Sequence, residues 1–368
     1  MRISRLTVWH KDLPLKKPYW LSGGRLKFEA LDATFLKMDT DEGVAGWAEA
    51  TPWGHTYLPA HGRGVRAALA VLAPAVIGAD PRAFDALNSR MDVALPGHFY
   101  AKSPIDIACW DIASRAAGVP LWKQLGADCA APVDINSSIS TGAPDDMIQL
   151  IQEASAAGYR VLSAKIGGTD AALDIARIEA IESALPAREQ VTFDVNRAWT
   201  PALAIQVLGS VGSRSWVEQP CETLAECAHV AARVPQPIML DECVLSFNDH
   251  LDAWRTRACE GVKVKPNRVG GLTKAKQIRD FGVSVGWRMH IEDVGGTVIA
   301  DSAALHLAAA TPDQNRLASW LAHAHLVDDP APGQGARNVK GVVQLSEDPG
   351  LGVTPNADWL GDPSAVYD

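Results

Sequence analysis

Short apolar segments alternate with helical segments from about residue 130 onwards, and this alternation constrains the fold more than any other feature of the sequence. The repeat length is roughly 25 residues, enough for one short strand and one helix. A series of such units predicts a parallel β/α barrel. The predicted strands are 133–138, 161–166, 191–196, 215–219, 237–241, 261–265, 287–291 and 317–320. The clearest helical patterns are 170–185, 201–211, 224–234 and 274–281.

The chain before residue 125 has a different pattern. Two β-rich segments with a Thr-Asp-Glu-Gly turn between them, at 40–43, predict an antiparallel hairpin. Helical patterns follow at 64–76 and 104–117. We therefore expect three parts: an α+β domain at 1–125, a barrel domain at 126–330, and a segment at 331–368 that packs back on the first domain.

Composition argues against several classes of protein. The net charge of -9 and the lack of a long basic run argue against a nucleic-acid partner. The six cysteines are scattered without a CxxC pair, which argues against a thiolate zinc site or a disulfide framework and favours a reducing compartment. The chain opens without a signal-peptide pattern, and its longest apolar stretch, 67–79, contains Pro74 and is too short to span a bilayer. We expect a cytoplasmic protein that binds neither nucleic acid nor membranes.

Charged residues stand at the ends of most predicted barrel strands, although buried parallel strands are normally apolar. Barrel active sites lie at the C-terminal ends of the strands. Asp194, Glu218 and Asp241 end three consecutive strands at spacings of 24 and 23 residues, so we expect their carboxylates to converge. The charged residues that end the other strands are Lys165, Lys265, Glu292 and Asp293.

This set of residues predicts magnesium-dependent proton abstraction. Three carboxylates with open positions beside them suit Mg²⁺, which prefers oxygen ligands. A proton next to a carboxylate is very weakly acidic, because its removal creates an enediolate dianion, and a divalent ion stabilises that charge. A lysine can act as the base where nearby positive charge lowers its pKa. Lys165 and Lys265 flank the carboxylates and would face each other across a bound substrate.

The charged strand ends, together with Gly270-Gly271, resemble the muconate lactonizing enzyme subgroup of the enolase superfamily over nearly the whole chain. The resemblance implies a modified TIM barrel of the (β/α)7β type, with an N-terminal α+β capping domain that the C-terminal tail completes. It implies that the three carboxylates bind Mg²⁺, that the two lysines are bases, and that loops near Ser22 and Tyr57 close over the substrate. Ser163 departs from the family pattern, which usually has the first lysine of a Lys-x-Lys motif there; this puts a supporting electrostatic role in doubt.

Two of the predicted site residues have a rival close by. Glu242 competes with Asp241, because side chains alternate along a strand and only one of the two points inward. Lys263 lies two residues before Lys265 and can share its inner face. The resemblance favours Asp241 and, through the offset to the double glycine, Lys265.

Two further polar residues lie near the predicted strand ends. Asn196 either supports the metal ligands by hydrogen bonds or forms a turn. His290 takes the position of a histidine base in the mandelate racemase subgroup. Its expected aspartate partner on strand six is replaced by Lys265, so we expect a structural role for His290.

Aromatic residues near the predicted site indicate a cationic substrate. Trp320 ends the last strand and Tyr57 lies in a capping loop, and together they offer an aromatic face to a cationic nitrogen. Asp293 is the third predicted substrate contact. Stretches such as LPLKKPY, HTYLPAH, GHFYAKSPIDIA, EQPCETL and PGLGVTP are similar to a branch of the family that acts on proline derivatives. This likeness implies dehydration of cis-3-hydroxy-L-proline to Δ1-pyrroline-2-carboxylate, with 2-epimerisation of proline, hydroxyproline or 4-hydroxyproline betaine as the alternative.

Other functions are weighed against this one. In a non-catalytic, metal-stabilised binding protein, both lysines would have no chemical role. An acid-sugar dehydratase would need polar groups in place of Trp320 and Tyr57, which counts against it. The resemblance also implies a small-molecule substrate and a homo-oligomer.

Overall fold

The N-terminal part of the chain forms an antiparallel sheet and four helices. The structure is a computed structural model that describes residues 1–22 and 24–368. The predicted turn at 40–43 is confirmed as the connection of a hairpin in which Asp39 pairs with Ala45. The elements are β1 (Ile3–Leu21), β2 (Leu26–Thr40), β3 (Ala45–Ala50), α1 (Gly62–Val76), α2 (Phe84–Ala94), α3 (Phe99–Ala116) and α4 (Leu121–Gln124).

Helix α3 connects the N-terminal part to the rest of the molecule. Its residues from Tyr100 to Ser114 are all buried, because α3 packs on β3 on one side and on the barrel on the other. The helix predicted at 104–117 begins earlier, at Phe99, so Pro104 lies inside it. Proline lacks an N–H and costs the helix one hydrogen bond there, which is why the sequence pattern placed the start too late.

The central part of the chain is the parallel sheet of the barrel. Its seven strands follow one another in sequence order, from β5 to β11. The strands, after the short β4 (Val133–Asp134), are β5 (Asn136–Ile139), β6 (Val161–Lys165), β7 (Gln190–Asp194), β8 (Trp216–Glu218), β9 (Ile238–Leu240), β10 (Gly261–Val264) and β11 (Arg288–Ile291). The helices are α5 (Pro144–Ala156), α6 (Ala171–Ala184), α7 (Pro201–Ser210), α8 (Leu224–Ala231), α9 (Phe247–Thr256), α10 (Pro266–Val269), α11 (Leu272–Val285) and α12 (Val298–Ala309).

The eighth predicted strand, 317–320, closes the barrel without forming a regular strand. Leu317 N donates to Met289 O at 2.8 Å on one side, and Ser319 N donates to Asp134 O at 2.9 Å on the other. Only isolated parallel bridges result, between Met289 and Arg316 and between Ile135 and Ser319. The predicted barrel with an N-terminal capping domain is therefore confirmed, with an eighth position held by a few backbone hydrogen bonds.

After the barrel the chain returns to its N-terminal part. Strand β14 (Ala365–Tyr367) pairs antiparallel with β1, with Leu6 opposite Tyr367. Trp9 Nε1 also donates to Gly361 O at 2.9 Å. A small sheet joins β12 and β13 to β4. The domain boundaries at 125 and 330 stay predictions. The C-terminal elements are the 3₁₀ helix Ala322–His325, β12 (Asn338–Val339), β13 (Val342–Val343), α13 (Ala357–Leu360) and β14 (Ala365–Tyr367).

A buried glutamate of the capping sheet, Glu49, attaches the capping domain to the loop that follows β11. Thr297, the N-cap of α12, donates from its backbone N to Glu49 Oε1 and Oε2 at 3.0 Å and from its hydroxyl to Oε2 at 2.5 Å. Thr51 donates to Oε1 at 2.6 Å. A Cβ on Gly296 would lie 2.6 Å from Glu49 Oε1, so only glycine allows this close approach.

We expect the charge of Glu49 to make stability depend on pH. Burial raises its pKa to about 7, more than the hydrogen bonds from Thr297 and Thr51 lower it. In the folded protein the pKa of Glu49 lies above its ordinary value of 4.5. The contribution of Glu49 to the free energy of unfolding is therefore fully present below pH 4.5 and is lost as pH rises through about 7. The loss amounts to about 3 kcal/mol of unfolding free energy. Glu49→Gln cannot ionise, so urea unfolding at about pH 5 and about pH 8 should show a smaller decline with pH than in the wild type; equal declines would contradict this.

Candidate active site

A cavity lies where the ends of the barrel strands face the capping domain. Charged side chains come from the barrel and aromatic side chains come mainly from the cap, so the two domains build it together. The cap contributes Tyr19, Leu21, Trp53 and Tyr57, and the barrel contributes Asn136, Ser138, Ser163, Lys165, Asp194, Asn196, Glu218, Asp241, Lys263, Lys265, Glu292, Val294 and Trp320.

Asp194, Glu218 and Asp241 all line this cavity. Asp194 and Glu218 are the last residues of β7 and β8 and are partners in the sheet register, and Asp241 directly follows β9. Glu218 Oε2 lies 3.2 Å from Lys263 Nζ but makes no hydrogen bond with the described residues. Burial and the charge of Asp194 raise the pKa of Glu218 well above its ordinary value. The positive charges of Lys263 and Lys165 lower the pKa of Glu218, but they do not offset its burial and the repulsion from Asp194.

Lys165 and Lys265 contact the two outer carboxylates of this set. Lys165 Nζ lies 2.5 Å from Asp194 Oδ2, and Lys265 Nζ lies 2.9 Å from Asp241 Oδ2. Although burial lowers the pKa of Lys165, the charge of Asp194 raises it overall. Since three strands separate β6 from β10 in the sheet, the two amines enter the cavity from opposite sides of the carboxylates.

Asp241 is also bound by an arginine behind it. Arg268, which is almost fully buried, donates from Nη1 to Asp241 Oδ1 and from Nη2 to Lys263 O at 3.0 Å. Although burial alone would raise the pKa of Asp241, the charges of Arg268 and the neighbouring lysines lower it below its ordinary value. Asp241 is therefore ionised and held in one orientation.

Lys263 and Glu292 form a further buried ion pair in the cavity lining, with Nζ and Oε1 2.9 Å apart. Lys263, the rival of Lys265, thus lies on the same inner face, and both lysines line the cavity. The sequence indicated Lys263 by its spacing of two residues from Lys265, whereas it indicated Glu292 only as a charged residue at a strand end.

His290 does not line the cavity; its Nδ1 lies 3.7 Å from Glu292 Oε2, and burial lowers its pKa. Its structural role stays a prediction.

Asp293 does not line the cavity, so its predicted contact with substrate is not supported. Asn267 Nδ2 donates to its Oδ2 at 2.7 Å, and the backbone N of Val294 donates to its Oδ1 at 2.7 Å. Burial raises the pKa of Asp293 to about 8. The neighbouring Glu292 lines the cavity instead; both residues follow the end of β11, where the alternation of side chains along a strand no longer applies.

Three aromatic rings form one wall of the cavity. Trp320 lines it as predicted, and the centroids of Tyr19 and Trp53 each lie 6.1 Å from the Trp320 centroid. Tyr19 and Trp53 are themselves 5.1 Å apart. Tyr19 also donates its hydroxyl to Ser138 at 3.3 Å, which ties the cap to the barrel. The sequence offered no signal for Tyr19 or Trp53, because their position depends on how the two domains meet.

Tyr57 lines the cavity, but its hydroxyl is bonded to the barrel. It donates to Glu242 Oε1 at 2.8 Å. Glu242 is buried outside the cavity lining, whereas Asp241 lies in it, so the structure favours Asp241 of the two rivals.

Ser22 is buried next to Leu21, which lines the cavity. The predicted loop near Ser22 includes residue 23, which lies outside the described residues.

The double glycine after β10 lets α3 approach the residues that follow Lys265. Gly270 and Gly271 have φ values of +99° and +114°, which side chains other than glycine rarely adopt. A Cβ on Gly271 would lie 2.4 Å from Asp106 of α3. Asp106 in turn accepts a hydrogen bond from the backbone N of Thr273 at 2.9 Å. The motif is therefore a packing requirement beside the site.

A second group of side chains that could bind a metal ion lies on the capping sheet, outside the cavity. Among the described residues, His10, Asp12 and Asp32 place such atoms within 4.8 Å of one another. His10 and Asp12 are exposed, and Arg66 Nη1 donates to Asp32 Oδ1 at 2.6 Å. The arginine already compensates the charge of Asp32, so we do not regard this surface group as a metal site.

Two family models match the chain. One, described as the mandelate racemase / muconate lactonizing enzyme N-terminal domain, matches residues 4–126. The other, described as enolase C-terminal domain-like, matches residues 146–359. Together they cover the capping domain and the barrel.

Individual relatives match over the full length. The chain is 40% identical over 369 residues to a cis-3-hydroxy-L-proline dehydratase of Roseibium aggregatum, with 100% of both proteins covered. It is 67% identical, with a TM-score of 0.97, to a crystal structure of an enolase superfamily member from Roseovarius nubinhibens complexed with magnesium, covering 100% of this chain and 99% of that one. A dipeptide epimerase from Enterococcus faecalis, complexed with Mg and L-Leu-L-Tyr, is 27% identical with a TM-score of 0.88, covering 96% of this chain and 100% of that one.

The comparisons agree with the geometry of the cavity and with the resemblance inferred from the strand ends. Both domains match by sequence and by structure, at identities well above those that show a fold alone. The chain belongs to the mandelate racemase/muconate lactonizing enzyme family of the enolase superfamily.

Proposed function

We propose that this protein is a Mg²⁺-dependent lyase that dehydrates cis-3-hydroxy-L-proline to Δ1-pyrroline-2-carboxylate. The observation that carries the proposal is the pair of amines, Lys165 and Lys265, on opposite sides of a buried set of carboxylates that line one cavity. The full-length similarity to a cis-3-hydroxy-L-proline dehydratase supports this choice of substrate.

The residues present fit a magnesium ion. Asp194, Glu218 and Asp241 offer oxygen atoms from adjacent strands, and Oε2 of Glu218 accepts no hydrogen bond from the described residues, which leaves its lone pairs available to a metal ion. We propose that these three carboxylates hold the ion. When bound, it supplies positive charge that stabilises an enediolate and favours a neutral lysine nearby. The magnesium in the similar structure from Roseovarius nubinhibens supports this assignment.

The two lysines then divide the reaction between the two faces of the substrate ring. In cis-3-hydroxy-L-proline the hydroxyl and the carboxylate share one face, so the α-hydrogen points to the other. One amine, Lys165 or Lys265, takes the α-proton, and the electron pair of that C–H bond becomes the new Cα–Cβ double bond as the Cβ–O bond breaks. The opposite amine donates a proton to the departing hydroxyl, which leaves as water. The resulting enamine tautomerises to Δ1-pyrroline-2-carboxylate.

The aromatic wall suits the ring nitrogen of such a substrate. Tyr19, Trp53 and Trp320 lie side by side within one part of the cavity, and a protonated amine binds favourably over the face of an aromatic ring. Glu292, in place of Asp293, adds a negative charge to the lining. We therefore propose that the ammonium group lies towards the aromatic wall and the carboxylate towards the metal ligands.

Epimerisation at the α-carbon is the second candidate activity. Two amines on opposite faces can remove a proton from one side and return it to the other when no β-hydroxyl leaves. The related dipeptide epimerase from Enterococcus faecalis supports this chemistry in the family. Proline, hydroxyproline and 4-hydroxyproline betaine are the substrates to test.

The experiment that tests the proposal is proton NMR in deuterated water with Mg²⁺. We expect cis-3-hydroxy-L-proline to form the pyrroline product and the trans isomer to react far more slowly, because its hydroxyl and α-hydrogen lie on the same face. Equal rates for the two isomers would contradict the two-face mechanism. If no proline derivative reacts or exchanges its α-hydrogen, the proposed substrate class is wrong; no exchange with any amino acid or hydroxy acid would support a non-catalytic binding protein.

The proposed location of the protein rests on its cysteines. None of the described helices is both long and apolar enough to cross a membrane. The free state of all six cysteines is what a reducing compartment would produce, which supports the proposed cytoplasmic location. A homo-oligomer stays a prediction of the family resemblance.

A further inference from the structure

Tyr57 attaches a loop of the capping domain to the barrel by three contacts. Its hydroxyl donates to Glu242 Oε1 at 2.8 Å. Arg197 Nη2 donates to the backbone carbonyl of Tyr57 at 2.9 Å, and the guanidinium carbon lies 5.3 Å from the centroid of the ring. Tyr57 and Glu242 are both less than one tenth exposed, so water competes little for these bonds.

The same carboxylate oxygen of Glu242 leads to one of the two amines. Asn196 Nδ2 donates to Glu242 Oε1 at 3.0 Å. The other atom of that amide, Asn196 Oδ1, accepts from Lys165 Nζ at 3.0 Å. Because the bond to Glu242 requires the amide nitrogen, it turns the amide oxygen towards Lys165. Tyr57, Glu242, Asn196 and Lys165 thus form one continuous chain of hydrogen bonds.

The backbone at Asn196 depends on these contacts. Asn196 and Arg197 have φ values of +45° and +65°, a left-handed conformation that residues other than glycine adopt at a cost. The backbone N of Asn196 donates to Asp194 Oδ1 at 3.0 Å, and Arg197 reaches back to Tyr57. A loop in the cap and a strained turn in the barrel therefore hold each other in place.

We propose that Tyr57 is a positioning residue for Lys165, acting through Glu242 and Asn196, so that docking of the capping loop sets the amine on one face of the substrate. Lys265 lies outside this chain, since its amine contacts Asp241 at 2.9 Å and Glu292 at 3.5 Å. The inference rests on the proposed role of Lys165 as a catalytic base. It predicts that a change at Tyr57 affects one face of the substrate and spares the other.

The test is the variant Tyr57→Phe, which removes the hydroxyl and keeps the ring beside Arg197. We expect exchange of the α-hydrogen in deuterated water to slow by about tenfold for the proline enantiomer served by Lys165, and to change less than about twofold for the other. The variant Lys165→Ala identifies which enantiomer that is. Equal slowing for both enantiomers would overturn the proposal, because a general loss of structure affects both faces.

A second measurement does not depend on activity. Reductive methylation with formaldehyde, followed by mass spectrometry of peptides, compares the reactivity of Lys165 with that of Lys265 in the Mg²⁺-loaded protein. In Tyr57→Phe we expect the ratio to shift towards Lys165, because Glu242 and therefore Asn196 Oδ1, one of the two acceptors of its amine, are less firmly oriented. An unchanged ratio would overturn the proposal even if neither proline enantiomer exchanges in the wild type. Failure of the proposed function is recognised separately, by the lack of pyrroline product from cis-3-hydroxy-L-proline.

The matched control is Tyr100→Phe. Tyr100 is also buried, and its hydroxyl has no hydrogen-bond partner among the described residues. It lies outside the lining of the active-site cavity. We expect this variant to keep both exchange rates and the wild-type labelling ratio; a loss equal to that of Tyr57→Phe would show that any buried tyrosine hydroxyl has the same effect and would overturn the proposal.

Discussion

Replacing Lys265 by alanine is expected to lower kcat for dehydration of cis-3-hydroxy-L-proline by about 10² to 10⁴-fold, the usual contribution of a positioned acid or base. The reason is that Lys265 supplies the only amine proposed for its face of the substrate, next to Asp241. The Lys165 amine remains on the opposite face, so α-hydrogen exchange should survive for one proline enantiomer and vanish for the other. The measurement is dehydration kinetics together with exchange followed by NMR for both enantiomers.

The control for this variant is Lys276→Ala. Lys276 lies on α11, is partly exposed and pairs with Asp280, far in the fold from the cavity lining. We expect wild-type kinetics from it. If Lys265→Ala lost exchange of both enantiomers equally while still binding Mg²⁺, the assignment of one amine to each face would be wrong.

The second large effect concerns the metal. In Glu218→Gln we expect the affinity for Mg²⁺ to fall by more than about 100-fold, which exceeds the usual effect of losing a residue that only hydrogen-bonds to a metal ligand. We expect the rate of dehydration to fall as well. Glu218 is the middle carboxylate of the three, and its Oε2 has no hydrogen-bond partner among the described residues. Titration calorimetry with Mg²⁺ measures the affinity. Removal of divalent ions from the wild type by a chelator should abolish activity, and added Mg²⁺ should restore it.

The matched variant is Glu179→Gln, at an exposed glutamate of α6. It makes the same chemical change away from the cavity, so its metal affinity and activity should equal those of the wild type. Dehydration that continues in the chelator-treated protein, or a wild-type Mg²⁺ affinity in Glu218→Gln, would refute the proposed metal site.

The sequence predicted the part of the site that follows from the geometry of parallel strands. Asp194, Glu218 and Asp241 end neighbouring strands, and strands of a barrel all end on the same side, so equal spacing along the chain became proximity in space. The same argument placed Lys165 and Lys265 on either side. These residues all line the cavity.

The parts that the sequence did not predict depend on where the chain leaves a strand or on how the domains meet. Asp293 was expected in the site, but Glu292 lines the cavity. Both residues follow the end of β11, where strand alternation no longer fixes which side chain points inward. Tyr19 and Trp53 reach the site only through the packing of the cap on the barrel. Tyr57 lines the cavity, but the bond of its hydroxyl to Glu242 was not predicted, because no local pattern connects two residues so distant along the chain.

A crystal structure with Mg²⁺ and L-proline tests the central claim most directly. We predict one ion at about 2.1 Å from an oxygen of each of Asp194, Glu218 and Asp241. We also predict the Nζ atoms of Lys165 and Lys265 on opposite faces of the α-carbon at about 3 to 3.5 Å. An ion bound elsewhere, or both amines on one face of the ring, would contradict the account.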